Sequence, residues 1–499
     1  MDPIVLNLVG LAAMFVLLAM GMPIGFAMGV IGTAGSFLLI GVEPSLSLLG
    51  LTVFETVITN DLSVVPLFVL MGFFATRSGL SESLYRSCNT WLGHRRGGLA
   101  LATIGGSGAF AAICGSSLAT AATMSQVALP EMRRYRYDER LATGAIAAGG
   151  TIGILIPPSV ILVLYGILTE SDIGQLFAAG IVPGVLTVVV FMATISIVTS
   201  LNPELGPPGA RASTRQMIAA IKDVWATIVL FLLVIGGIYT GAFTPTEAAG
   251  IGAMGAFDLA VNTWTRDAPP KRKRLLRAAN LLLVGSLLAL SVAVAVNLAT
   301  GAEASDWPDW IGYPVYAGIV LAHAVYVWLG LSAKAELGSC LLETTKTTAM
   351  IFTILIGAIL LNKFLTLGGL AAALGTSVED LGAGPLVTIA VILMIYFVLG
   401  CALDALAMIL LTIPIFFPIV QQLGFDPIWF GVIVVMVVEL GLITPPVGMN
   451  VFIIKGMAPD VPLSRIYSGV LPFVVAEVLL IVLLVAIPEL ATWLPGTME

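Results

Sequence analysis

Two short strings, alike and far apart, concentrate the residues that can do chemistry: GILIPPS from Gly153 to Ser159 and GLITPPVGMN from Gly441 to Asn450. Each sets a double proline, Pro157-Pro158 or Pro445-Pro446, inside a long apolar run. Proline has no amide hydrogen and breaks the helical ladder, which leaves backbone carbonyls without partners. At membrane depth such backbone is tolerated only inside protein or beside a water-filled cavity. Two further apolar stretches, 97–130 and 385–418, are interrupted near their middles by Gly115-Ser116-Ser117 and Gly400-Cys401-Ala402. Free carbonyls and half-helix C-termini suit Na+, whereas half-helix N-termini carry a partial positive charge that suits a carboxylate. One double proline alone is an ordinary kink, and one Ser-Ser a helix-packing contact. Two matching pairs of break and tip point instead to a cation site and an anion site.

No Lys or Arg lies deep in any of these four segments. An anion there must be held by helix N-termini, by the hydroxyls of Ser116, Ser117, Thr120 and Thr123, by the Asn450 amide and by bound cations, which argues for Na+ coupling. Asp404, four residues beyond Gly400, is the acid of most interest, because a carboxylate near the membrane centre costs about 2.5 to 3.5 kcal/mol on insertion scales. Its carboxylate either coordinates Na+ or anchors the tip through backbone amides. Glu439 stands ahead of the second break as a pairing partner or a cap, while Glu477 and Asp258 read as buried structural acids. Glu247, in TPTEAAG, fits a helix N-terminus capped by Thr244 or Thr246. His94 and His323 receive no role.

The elements that position these residues follow from composition. Of 499 residues 59% are hydrophobic, and only 22 Lys and Arg and 29 Asp and Glu are present. Soluble domains are roughly 45 to 50% apolar and 25% charged, so a soluble fold is excluded in favour of an all-α polytopic membrane protein. Cys88, Cys114, Cys340 and Cys401 have no disulfide or metal-ligand spacing, and two histidines build no metal cluster. No basic face with interleaved aromatics suggests nucleic acid. An enzyme is disfavoured, since the breaks bring neither a nucleophile with its base, nor HExxH, nor paired catalytic carboxylates. No Lys or Arg precedes Arg77, which argues against a cleaved signal peptide.

Apolar runs near 4–20, 24–41, 62–76, 141–167, 176–199, 224–243, 246–263, 279–300, 312–331, 347–362, 428–454 and 468–488 make about 12 transmembrane helices. Half of 97–130 or 385–418 is about 15 residues, which rises only ~22 Å as helix against the ~30 Å hydrocarbon core. Both stretches therefore read as re-entrant helical hairpins. Arg77, Arg86, Arg95 and Arg96 before the first, with Arg133, Arg134, Arg136 and Arg140 after it, set both its ends on the cytoplasmic side. Counting spans onward puts Glu303, Asp306 and Asp309 outside and Lys334 and Lys346 inside. No Lys or Arg lies between Lys363 and Lys455, so the second hairpin enters from outside and both termini end outside. The run 271–277 is a topology anchor near anionic lipid. Segments 81–96 and 332–346 are either interfacial arms or plain connecting helices.

Hairpins of opposite orientation imply inverted repeats. Adding 288 carries Pro130 onto Pro418, Asp138 onto Asp426, Gly153 onto Gly441 and Pro157-Pro158 onto Pro445-Pro446 without a gap. Residues 1–200 form the first repeat, 201–223 a cytoplasmic linker and 224–499 the second. Pro23 matches Pro245 at an offset of 222, whereas Gly72 and Gly115 match Gly357 and Gly400 at 285, so about 63 residues are inserted between. The added helix pair is assigned to about 278–335.

The strings FAAICGSSLATAATM, LPEMRRYRYDERLATGAIAAGGTIGILIPPS, GAFTPTEAAG, FVLGCALDALAMILLTIPIFFPI and GFDPIWFGVIVVMVVELGLITPPVGMNVF resemble the large membrane subunit of the tripartite ATP-independent periplasmic (TRAP) transporters, of the DctM type. The likeness covers nearly the whole chain except about 278–335. It implies an elevator-type secondary transporter in the bacterial inner membrane, with periplasmic termini, driven by a Na+ gradient. It also implies two partners, a soluble periplasmic substrate-binding protein that delivers organic anions and a small four-helix membrane subunit. By the same resemblance Na+ is held by Gly115, Ser116, Ser117, Gly153, Pro157, Gly400, Asp404, Gly441, Thr444 and Pro445. With the residue reading above, substrate falls to Ser116, Ser117, Thr120, Thr123, Pro158, Pro446 and Asn450. A stand-alone Na+/dicarboxylate symporter of related fold and a non-transporting membrane scaffold are the competing readings.

Overall fold

A computed structural model describes residues 2–266, 269–282, 285, 309–370, 373, 376, 384–401 and 403–498. The described residues form helices and connecting turns with no strand. In chain order the α-helices are α1 Pro3–Ala19, α2 Ile24–Ile40, α3 Val42–Ile58, α4 Val64–Arg77, α5 Leu80–Leu92, α6 Gly98–Cys114, α7 Ser117–Arg134, α8 Glu139–Thr151, α9 Val160–Thr169 and α10 Ile173–Leu201. They continue as α11 Thr214–Tyr239, α12 Pro245–Trp264, α13 Asp309–Leu331, α14 Lys334–Leu367, α15 Pro385–Gly400, α16 Ala405–Gln422, α17 Pro427–Ile443, α18 Met449–Met457, α19 Leu463–Ala486 and α20 Glu489–Thr492. Residues 270–282 are also helical.

One order of elements occurs twice. Two helices joined by a tight tip, α6 and α7, are followed by a helix that breaks and resumes, α8 and α9, and then by α10. The series α15, α16, α17, α18 and α19 repeats that order. Local chemistry explains the matched starts. Asp138 and Asp426, equivalent at the offset of 288, both cap their helices, accepting from the amides of Arg140 and Trp429 respectively. Ser159, Asp172 and Ser213 cap α9, α10 and α11 in the same way. Thr244 and Glu247 form a reciprocal capping box at α12, as TPTEAAG implies.

The tip legs run to 17, 18, 16 and 18 residues, longer than the 15 expected, because α7 and α16 continue through Pro130 and Pro418. Eighteen residues still rise only ~27 Å, short of the ~30 Å core. Among the described residues four unbroken helices, α10, α11, α14 and α19, are long and apolar enough to cross a bilayer, and the 18-residue α16 stands at the lower limit of that length. The broken helices sit innermost: α17 is buried along nearly its whole length, whereas α10, α11 and α19 turn apolar side chains outward.

Packing against the outer helices relies on small residues. On α2, a Cβ at Gly32 would lie 2.5 Å from the backbone of Leu360 in α14, so these two helices cross at backbone contact. Helix α3 carries no span in the sequence reading. Glu43, Glu55 and its Ser and Thr residues dilute the apolar pattern there, yet Ser45, Thr52 and Thr56 are buried. Segment 332–346 is no separate arm, since α14 runs unbroken from Lys334. The other arm candidate is α5, bent 63° from α4.

Much of the inserted pair at 278–335 lies outside the described residues. Its described part docks on α12 through polar side chains. His323 Nε2 lies 3.2 Å from Asp258 Oδ2, and Asn262 receives a 3.1 Å hydrogen bond from Asn280 and donates one of 3.4 Å to Tyr326. His323, given no role above, is thus the partner of the structural acid Asp258.

Candidate functional site

Each tip packs on the break of its own half. At the first, α6 ends at Cys114, and Gly115 turns the chain in the left-handed region at φ 62°. A Cβ on Gly115 would stand 2.6 Å from Pro158 O, and one on Gly153 2.6 Å from Ser116 O. Glycine is therefore required on both sides of this junction, once for conformation and twice for closeness. At the second, a Cβ on Gly441 would stand 2.5 Å from the carbonyl carbon of Gly400, and Gly448 N donates to Cys401 O at 3.4 Å. Both breaks hold a cis bond between their two prolines.

The halves also interlock. The short helix after each break packs on the other half's hairpin: α9 against α16, and α18 against α7. Tyr165 of α9 donates to Pro427 O at 2.6 Å, which ties the first break to the start of the second broken helix. This crossing brings the two tips to one place. A cavity of about 760 Å³ is lined by Cys114 to Ala119 from the first tip and by Asp404 to Ala407 from the second. Its remaining walls come from α2, α4 and α14, from Ile154, Val160 and Ile161 around the first break, and from Met449. No Lys, Arg or His lines it.

The two N-termini that open on this cavity are closed differently. Ser116 caps α7 through its hydroxyl, which accepts from Ala119 N at 3.3 Å, while the amides of Ser117 and Leu118 meet no partner among the described residues. Ser117, 4% exposed, is on the lining, and its hydroxyl has no hydrogen bond of its own among the described residues. At α16 the cap is a carboxylate. Asp404 accepts from Leu406 N at 3.2 Å and from Ala407 N at 3.4 Å, so it anchors the tip through backbone amides.

Of the residues expected to bind ions, Gly115, Ser116, Ser117 and Asp404 line the cavity. Gly153, Pro157, Gly400, Gly441, Thr444 and Pro445 sit at the two junctions behind it. Pro445 and Pro446 are exposed, whereas Pro157 and Pro158 are buried. Thr444 donates its hydroxyl to Leu440 O at 2.6 Å. At the second break the carbonyls of Pro446 and Val447 accept from Tyr467 OH at 3.1 and 2.7 Å, so they are not left free.

Of the residues expected to hold substrate, only Ser116 and Ser117 reach the cavity. Thr120 donates to Ser116 O at 2.8 Å and rests against Gly153, where it supports the tip. Thr123 is buried on α7, and neither Pro158 nor Pro446 lines the cavity. Asn450 is fully buried and turns to α8, reaching Ala147 O at 3.5 Å; its neighbour Met449 lines the cavity instead. Glu439 caps nothing, since α17 continues to Ile443, and its carboxylate and that of Glu477 are buried without hydrogen-bond partners among the described residues. The walls contributed by α2, α4 and α14 escape a sequence reading. Their lining residues are ordinary apolar side chains with Thr76, Thr347 and Thr353 among them.

Comparison with known proteins follows this geometry. Residues 11–490 match the family model of the tripartite ATP-independent periplasmic transporter, DctM component. The C4-dicarboxylate TRAP transporter large permease protein DctM of Pseudomonas aeruginosa is 32% identical over 467 residues, 93% of this chain and 93% of that one. The sialic acid TRAP transporter large permease protein SiaM of Vibrio cholerae is 27% identical, with 96% of each chain covered. The isethionate TRAP transporter permease protein DctMQ of Oleidesulfovibrio alaskensis is 28% identical over 98% of this chain but only 65% of its own length.

Proposed function

Because the chain belongs to the DctM component family of the tripartite ATP-independent periplasmic transporters, we propose that it is the multi-pass permease that carries organic anions into the cell with Na+. It is a transport component and not an enzyme. The single observation that carries the reading is the meeting of both tips, each seated on its own break, at one cavity.

In this reading Na+ binds at the two junctions, where backbone carbonyls crowd between tip and break. The anion binds between the tips, where the free amides and hydroxyls of the first tip supply hydrogen bonds without a fixed cation. Absence of basic residues from the lining makes bound Na+ the main source of positive charge, which supports coupling. The two hairpins and two broken helices move together as an elevator against a scaffold of the remaining helices, in inverted repeats with about 12 transmembrane helices. The protein resides in the bacterial inner membrane with both termini in the periplasm. Its partners are a periplasmic binding protein that delivers the anion and a small membrane subunit. The greater length of the isethionate relative fits fusion of such a subunit.

Liposomes holding this chain and the small subunit, with binding protein outside, test the proposal. Uptake of the anion that co-purifies with the binding protein is expected only under an inward Na+ gradient. Equal uptake with K+ in place of Na+ defeats the coupling. Uptake without binding protein selects the stand-alone symporter.

A further inference from the structure

We infer that the passenger is an organic monoanion with an apolar body, neither a dicarboxylate nor a polyhydroxylated acid. This rests on the cavity being the anion's passage, as proposed above. The inference turns on the unequal capping of the two helix N-termini that face the cavity. At α7 the cap is a neutral hydroxyl, and the Ser117 amide, the Leu118 amide and the Ser117 hydroxyl remain free to receive a carboxylate. At α16 the Asp404 carboxylate already fills the N-terminal amides and brings its own negative charge to the lining. One anionic group therefore has a place, and a second is repelled where its donors would have been. A Na+ held at the second junction finds its counter-charge in Asp404 and not in the passenger.

The walls set the rest of the molecule. Val69 and Phe73 of α4, Ile154 and Ile161 around the first break, and Ile351 and Ile354 of α14 make an apolar enclosure. Of the threonines in it, Thr76 and Thr353 already donate to helix carbonyls at 2.8 and 2.7 Å. A body rich in hydroxyls would lose water there without recovering hydrogen bonds. The volume of about 760 Å³ leaves room for a body well beyond two carbons.

Cys114 lines the cavity and supplies a native reporter. The full chain, in lipid nanodiscs with saturating Na+, is labelled with N-ethylmaleimide, and modification of Cys114 is followed by peptide mass spectrometry against hexanoate, phenylacetate, succinate and gluconate. Thr347→Cys on the α14 wall provides a second thiol should Cys114 react too slowly to follow. Hexanoate or phenylacetate is expected to protect at concentrations at least tenfold lower than succinate or gluconate. Asp404→Asn keeps an N-cap but loses the charge, and should bring succinate within threefold of hexanoate. Protection by succinate or gluconate equal to that by hexanoate overturns the inference and leaves the cavity reading intact. Failure of all four anions to protect either thiol removes the cavity as the passage, and the inference with it.

Discussion

The first and second junctions share one backbone plan and differ in how they finish it. The first is buried, turns on a left-handed glycine, is capped by a hydroxyl and leaves amides open to the cavity. The second is exposed at its prolines, turns at Cys401 with φ −67°, is capped by a carboxylate and has its break carbonyls held by Tyr467. The same order of elements thus carries different side chains at its two tips. One tip leaves amides unfilled beside the cavity, and the other brings a carboxylate to it.

Substitutions at matched positions should separate the two. The largest effect is expected at the first turn. Gly115→Ala meets both the left-handed backbone and the Pro158 carbonyl, so stability measured by thermal melting should fall by about 2 kcal/mol or more and uptake should be lost. Cys401→Ala at the second turn asks for no such conformation and should melt within about 1 kcal/mol of the parent. Equal losses would mean that the turns are not different in kind.

Next come the caps. Asp404→Ala removes a carboxylate cap and should cost about 0.5 to 2 kcal/mol, with Asp404→Asn restoring most of it. Ser116→Ala should cost no more than that in stability while weakening anion uptake, because its tip faces the passenger. A larger melting effect at Ser116 than at Asp404 would reverse the assignment of anchor and binding site.

Much of this contrast is legible in the sequence. Pro157-Pro158, Pro445-Pro446 and the glycines at 115, 153, 400 and 441 mark breaks and tips because their backbone chemistry is local. Asp138, Asp426 and the Thr244–Glu247 box mark helix starts for the same reason. What depends on side-chain direction is not legible. Asn450 has the right chemistry beside the right break, but the helical position that aims Met449 at the cavity aims Asn450 at α8. The pairing of Asp258 with His323 joins residues 65 positions apart across an inserted segment, which no local pattern encodes. Helix α3 escapes notice because its buried face is polar and its exposed face apolar, the reverse of the usual signal.

Smaller effects are expected outside the tips. Tyr467→Phe frees the Pro446 and Val447 carbonyls and should cost about 0.5 to 1.5 kcal/mol in melting, with little change in uptake at saturating Na+. Among the described residues the first junction has no such brace. Smallest of all is the exposed pair of Arg133 and Asp460, which joins the two halves at 2.7 Å. The Arg133 guanidinium, hydrogen-bonded to it, holds the Asp460 carboxyl below the usual carboxylate range. Its contribution is present above that range and is lost on acidification through the lowered value. Asp460→Asn should therefore lower thermal melting only slightly near neutral pH, where the pair is intact, and leave it unchanged at acid pH, where the pair is already lost.

The most direct test of the central claim is an electron cryo-microscopy map of the full assembly with Na+ and its anion bound. The account predicts anion density between the tips, on the amides of Ser117 and Leu118, with no anion on the α16 end that Asp404 occupies. Anion density on that second end, or outside the cavity altogether, would contradict it.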